Sequence, residues 1–139
     1  MDETNYGFSI EIPVDFDTAL QLTVEGLKEQ GFGVLTEIDV KETLKKKLDV
    51  DFRNYRILGA CNPPLAHRAL QAETEIGLLL PCNVIVYEAA NGKTRVSAIN
   101  PVAAMSMVDS QEVEPIADEV RQRLQIVLSK LTEETAQKA

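Results

Sequence analysis

Tryptophan is absent from this chain, cysteine occurs twice and histidine once. Each shortage excludes something. Two cysteines cannot staple a disulfide scaffold, so the fold has to be held by an ordinary core. With aromatics at 5%, that core must be mainly Leu, Ile, Val and Ala. A single histidine and no paired-carboxylate signature leave little support for hydrolase chemistry. There is no Gly-rich phosphate loop, no Walker motif and no Gly-x-Ser-x-Gly elbow. The apolar run Ile76–Leu80 is far too short to span a bilayer, so no membrane association is expected. Met1-Asp2-Glu3-Thr4 offers neither a basic start nor an apolar stretch. No secretory leader is therefore expected, and the thiols are expected to be reduced, in the cytoplasm.

Positive charge is also scarce. The net charge is −8, which argues against nucleic acid as a partner because phosphate binding needs the opposite field. The imbalance is uneven: residues 41–68 hold seven Lys/Arg against three Asp/Glu, so the remainder carries −12. Lys45-Lys46-Lys47 dominates the basic part and reads as a solvated helix face.

What is present is enough for one domain. A chain of 139 residues, 45% apolar and 26% charged, has globular composition and shows no repeat, linker or low-complexity tract, so 1–139 reads as a single domain. Tyr6, Phe8, Ile10 and Ile12 alternate with polar residues, which predicts a half-buried strand. Asp15 caps a helix carrying Phe16, Ala19, Leu20, Thr23, Val24 and Leu27 at helical spacing, and Gly31 ends it. Phe32–Asp39 predicts a second strand, Val40–Leu48 a short basic helix and Tyr55–Cys61 a third strand. Asn62 then caps a helix whose first turn is Pro63-Pro64 and which runs to about Glu73.

Asn91-Gly92 between two β-rich runs predicts a hairpin with a two-residue turn. That register sets Glu88 opposite Arg95 and puts Ile85, Tyr87, Val96 and Ala98 on the core face. Val84, Val86 and Ile99 fall on the other face, too apolar to stay wet, which predicts that a second copy of the chain covers it. Val102–Val108, with Met105 and Met107, reads as core filling or a lid. Val113, Ile116, Val120, Leu124, Val127, Leu128 and Leu131 predict a long amphipathic final helix with Pro115 in its first turn, and Thr132–Ala139 as a frayed tail. The order of elements predicts an α+β fold: a curved antiparallel sheet with helices on one face, strand–helix–four strands–helix, and a short helical insert before and after the third strand.

The chemistry-bearing residues gather in one segment. Cys61-Asn62 and Cys82-Asn83 hold both cysteines, and His67 lies between them. If the third strand and the first hairpin strand are antiparallel neighbours, both cysteines reach the same rim of the sheet. Three readings follow. The first is a small apolar ligand bound near Cys61, Leu80 and Met105, with Asn62, His67, Cys82 and Asn83 around it. The second is thiol transfer or redox sensing at Cys61, whose thiolate the following helix N-terminus would stabilise. The third is a soft metal, Zn or Cu(I), held by Cys61, His67 and Cys82, although the spacing matches no zinc pattern and strand parity sends the sulfurs to opposite faces. A structural part for both thiols, as small buried hydrophobes, stands beside all three. The first reading is preferred: a non-catalytic binding module, expected to be a homodimer, with no cofactor.

The stretches Ile57-Leu58-Gly59-Ala60-Cys61-Asn62-Pro63-Pro64-Leu65-Ala66-His67-Arg68-Ala69-Leu70 and Ile76-Gly77-Leu78-Leu79-Leu80-Pro81-Cys82-Asn83-Val84 resemble the hallmark segments of domain-of-unknown-function family 302. The similarity covers almost the whole chain. It implies a TATA-box-binding-protein-like fold in the same strand–helix–four strands–helix order, a bacterial or archaeal cytoplasmic protein, and a homodimer. It implies no activity, and DNA binding does not follow from a fold name.

Overall fold

Alternating burial decides which way the sheet faces. In β2 (Gly7–Ile12) Phe8, Ile10 and Ile12 are buried, and in β6 (Thr94–Ile99) so are Thr94, Val96 and Ala98. In β5 (Cys82–Glu88) the buried set is Cys82, Val84 and Val86. The computed structural model describes residues 1–136. A two-residue strand β1 (Asp2–Glu3) precedes β2; then come α1 (Phe16–Glu29), β3 (Gly33–Asp39), α2 (Val40–Leu48), β4 (Tyr55–Cys61) and α3 (Pro63–Ala72). A 3-10 segment Thr74–Leu79 leads into β5, and after β6 follow α4 (Pro101–Met105) and α5 (Val113–Thr135). The six strands form one sheet in the order β1-β2-β6-β5-β4-β3, antiparallel throughout. It is the expected α+β arrangement, with α2 and α3 as the inserts on either side of β4.

Helix ends follow local chemistry. The Asp15 carboxylate accepts from the Thr18 N–H at 2.8 Å, starting α1. Gly31, at φ +83, ends it. There Phe32 N donates to Leu27 O and Gly31 N to Lys28 O, a Schellman closure that satisfies the last carbonyls. The Asn100 carbonyl oxygen accepts from Val102 and Ala103 to open α4. In α5 every position of the apolar stripe is buried, Leu124, Leu128 and Leu131 almost completely. These side chains pack with Leu27 and Ala19 of α1 against Ile12, Leu58, Val84 and Val96 of the sheet. Truncating any one of the buried leucines to Ala costs about 2–5 kcal/mol. Arg56, on the core-facing side of β4, is tolerated because it lies near the sheet edge. Its guanidinium carbon lies 5.9 Å from the Phe16 ring centroid, and its nitrogens reach Glu37 and Asp39 at 2.7 and 3.2 Å.

Four expectations are corrected. First, the hairpin turn has three residues, Ala90–Gly92, closed by Ala89 N to Lys93 O, with Asn91 at φ 63 and Gly92 at φ 71. The extra residue slips the register by one. Val84 pairs with Ala98 and Val86 with Val96, and this is the core face. Ile85 and Tyr87 belong to the opposite face with Ser97 and Arg95. Second, Tyr87 therefore opposes Arg95, while the Glu88 carboxylate accepts from the Asn54 N–H at 2.8 Å. Third, Tyr6 lies just outside β2 and is 75% exposed. Fourth, α5 stays helical to Thr135, a buried residue whose hydroxyl donates to Leu131 O; the rest of the expected frayed tail, 137–139, lies outside the described residues. Val102–Val108 divides: Met105 fills the core and Met107 is 74% exposed.

Candidate functional site

All the major helices lie on one side of the sheet, so the register leaves the other face open. Across β3, β4 and β5 that face presents Ile38, Ile57, Ile85, Tyr55 and Tyr87, with Phe52 against Tyr55. The Tyr55 and Tyr87 rings stack at 5.2 Å, and burial pushes the Tyr55 phenol above its ordinary value. Across β5, β6 and β2 the face hollows into a groove of about 400 Å³. Its walls are Tyr6, Ile85, Tyr87 and Ile99, and its polar groups come from Arg95, Ser9, Ser97 and Asn83. Arg95 donates to the Ser9 hydroxyl at 2.6 Å and to the Asp2 carboxylate at 2.9 Å. That bond and the guanidinium charge hold the Asp2 carboxyl below its ordinary value.

The cysteine corner is built differently. Ala60 is the Cα partner of Cys82, and Cys61 that of Gly33, so the strand alternation assigns the two thiols to opposite faces. Both border one apolar cavity at the rim, beside Leu65, Leu80, Met105 and Val120. It is about 30 Å³ in size, room for about two waters at most, and its lining is mostly apolar. Burial raises the Cys61 thiol above its ordinary value and pushes Cys82 up to about 11. The expected thiolate stabilisation at α3 is absent for a local reason. Pro63 and Pro64 have no N–H, Leu65 N–H is taken by the Asn62 side chain, and Ala66 N–H by the Asn62 carbonyl. A helix N-terminus with every donor spent has nothing to offer a sulfur anion.

The remaining sequence-singled residues scatter. His67 is exposed and does not border the cavity. The soft-metal reading of Cys61, His67 and Cys82 is thus corrected: among the described residues no three His, Cys, Asp or Glu converge on a common point. Asn62 is buried and structural. Its Oδ1 caps α3 at 3.3 Å, and its Nδ2 donates to Gln30 O at 3.5 Å, where Arg123 Nη1 also donates at 3.1 Å. Asn62 thus ties the start of α3 to the end of α1, and Arg123 brings the middle of α5 to the same carbonyl. Asn83, exposed on the open face, is the one of these residues that lines the groove. The groove's own polar residues, Arg95, Ser9 and Ser97, were missed. Ser9 and Ser97 alternate against buried neighbours, a signal for an outward polar row, but the slipped hairpin register hid what faced it.

An open antiparallel sheet with its helices on one side and a solvent-facing groove on the other defines an α+β domain. The chain belongs to the DUF302 family: the sequence model of "Domain of unknown function DUF302" matches residues 8–131. It is similar to the crystal structure of an uncharacterised conserved DUF302 protein from Bacillus stearothermophilus, at 30% identity and a TM-score of 0.83, over 90% of this chain and 97% of that one. No curated protein matches the chain. No helix among the described residues is long and apolar enough to cross a membrane.

The hallmark segments now have physical contents. Gly59 is where Thr36 and Pro81 close over the backbone of β4, Asn62 is the tie between α3 and α1, and Leu65, Ala69 and Ile76 are core.

Proposed function

We propose that this chain is a non-catalytic binding module that takes a small, largely apolar ligand in the groove of the open sheet face and works as a homodimer. The observation that carries this reading is a contrast of size: the groove offers about 400 Å³, within the range of ligand sites, whereas the cysteine cavity offers about 30 Å³. A ligand beside Cys61 and Cys82 would have to displace α3 or α4, both anchored by side-chain caps and buried residues. Thiol transfer at Cys61 has the less support of the two, since burial favours the protonated form of both sulfurs. The dimer reading rests on the apolar half of the same face, where Ile38 stays 48% exposed beside Ile57 and Phe52 is 39% exposed.

Two measurements test it. The fluorescent probe 8-anilinonaphthalene sulfonate should brighten and shift blue with the native protein. A Ser97→Trp variant, whose indole fills the groove, should abolish that response. A response that survives in the variant, or none in the unaltered chain, overturns the groove. Native mass spectrometry should show a dimer that Ile38→Glu converts to a monomer; a monomeric unaltered chain at tens of micromolar (about the range where such contacts form) overturns the pairing.

A further inference from the structure

We infer that the groove selects carboxylates with a short apolar body, and that Asp2 occupies the position of the ligand's carboxylate when the site is empty; this rests on the groove being the binding site. Arg95 stands on a central strand, only 24% exposed at its side chain, in a groove walled by Tyr6, Ile85, Tyr87 and Ile99 whose other polar residues, Ser9, Ser97 and Asn83 among them, carry no charge. A guanidinium in such a setting is a specific receptor for a planar anion, because its donors are fixed in direction and its surroundings are poor in water. One anion already reaches this guanidinium, from a residue that does not itself line the groove. The Asp2 carboxylate meets Arg95 Nη2 at 2.9 Å, yet the Asp2 side chain is 78% exposed. It is held on β1, which consists of two exposed residues paired only to β2. An exposed carboxylate on so short a strand is a weak competitor that a free carboxylate can replace. Glu11, the cross-strand partner of Arg95, is exposed and forms no ion pair with it. Beyond the guanidinium, Ile85, Ile99 and the Tyr87 ring supply the apolar walls.

The test is a titration of the 15N-labelled chain with phenylacetate, and with phenylacetamide as its neutral counterpart. Phenylacetate should shift the amides of β2, β5 and β6 around Arg95 with an affinity on the order of millimolar, as its size allows. The amide should bind at least about tenfold more weakly. Asp2→Asn, which removes the internal competitor, should tighten phenylacetate about two- to fivefold. Arg95→Met, which keeps the stem and removes the charge, should weaken it about tenfold or more. Equal binding of acid and amide, or no effect of Asp2→Asn and Arg95→Met, overturns the carboxylate inference and leaves the groove standing. Silence from both probes, or groove amides that broaden only with protein concentration because a second copy sits there, overturns the inference and the ligand groove together.

Discussion

Cys61 and Cys82 border the same rim cavity while belonging to opposite faces of the sheet, because it is Ala60 that pairs with Cys82. Neither sulfur has a donor aimed at it, and burial raises both thiols. At pH 7 both are protonated. Alkylation by iodoacetamide in the native state should therefore be slow at both sites. Cys61 should accelerate only above the usual thiol range, and Cys82 should remain inert until the chain unfolds. Peptide mass spectrometry of the labelled protein checks this; rapid labelling of either residue at pH 6 would contradict it.

Asn62 ties the start of α3 to the end of α1 through one side chain, and the two halves of its amide do separable work. Asn62→Ala removes the α3 cap and the bond to Gln30 O, and should cost about 1–2 kcal/mol in urea denaturation. Asn62→Asp keeps an acceptor for Leu65 N–H while giving up the donor, so its loss should be smaller. Gly31 bounds the same junction. At φ +83, an added Cβ would also approach Asn62 Nδ2 to 2.9 Å, so Gly31→Ala should lose about 1–2 kcal/mol. A neutral Gly31→Ala would mean that the turn is looser than its closure suggests.

Gly59 tests why the first hallmark segment reads Leu-Gly-Ala. A Cβ there would collide with Thr36 Oγ1 and come within 2.8 Å of Pro81 Cγ. The threonine can rotate toward solvent, whereas the proline ring has little freedom. Gly59→Ala should destabilise by about 1–3 kcal/mol. Adding Thr36→Ala should recover only part of that, as a double-mutant cycle in chemical denaturation would show. Full recovery would locate the whole strain at Thr36.

Most of the architecture could be read from the chain because its signals are local. Asp15, Asn62 and Gly31 announce helix ends by their own hydrogen bonds or φ, and the α5 stripe runs unbroken from Val113 to Leu131, about five turns. The open face was misread because register is not local. Val84–Tyr87 is apolar at every position, so alternation does not say which side is the core, and the turn decides. Asn91-Gly92 fits a two-residue turn, but the chain uses Ala90 as well, and one residue exchanges Ile85 and Tyr87 for Val84 and Val86. With that exchange went any view of the groove. Arg95 appeared to face Glu88, whereas it pairs with Tyr87 and Glu11, and its side chain reaches Ser9 and, from a two-residue strand no periodicity could announce, Asp2.

Two acidic side chains with depressed values contribute to the acid limb of stability. Asp15 is lowered by its bonds to Thr18, and Asp2 by Arg95; both have folded values below the ordinary 3.8. A depressed carboxyl stabilises in full above its unfolded value and loses that contribution as pH falls through the folded one. The stability contributed by Asp15 and Asp2 should therefore be constant at mildly acidic pH and decline below about 3.8. Asp15→Asn keeps a capping oxygen without the titration, since Asn and Asp cap comparably. Urea midpoints taken on both sides of that pH should fall less for Asp15→Asn than for the unaltered chain. Asp2→Asn should flatten the limb more modestly, because the Asp2–Arg95 pair is exposed on the acid side and screened by solvent and salt. Parallel acid limbs in all three proteins would show that neither carboxylate is bonded in solution as it is here, and with Asp2 released the groove would lie open without a competitor.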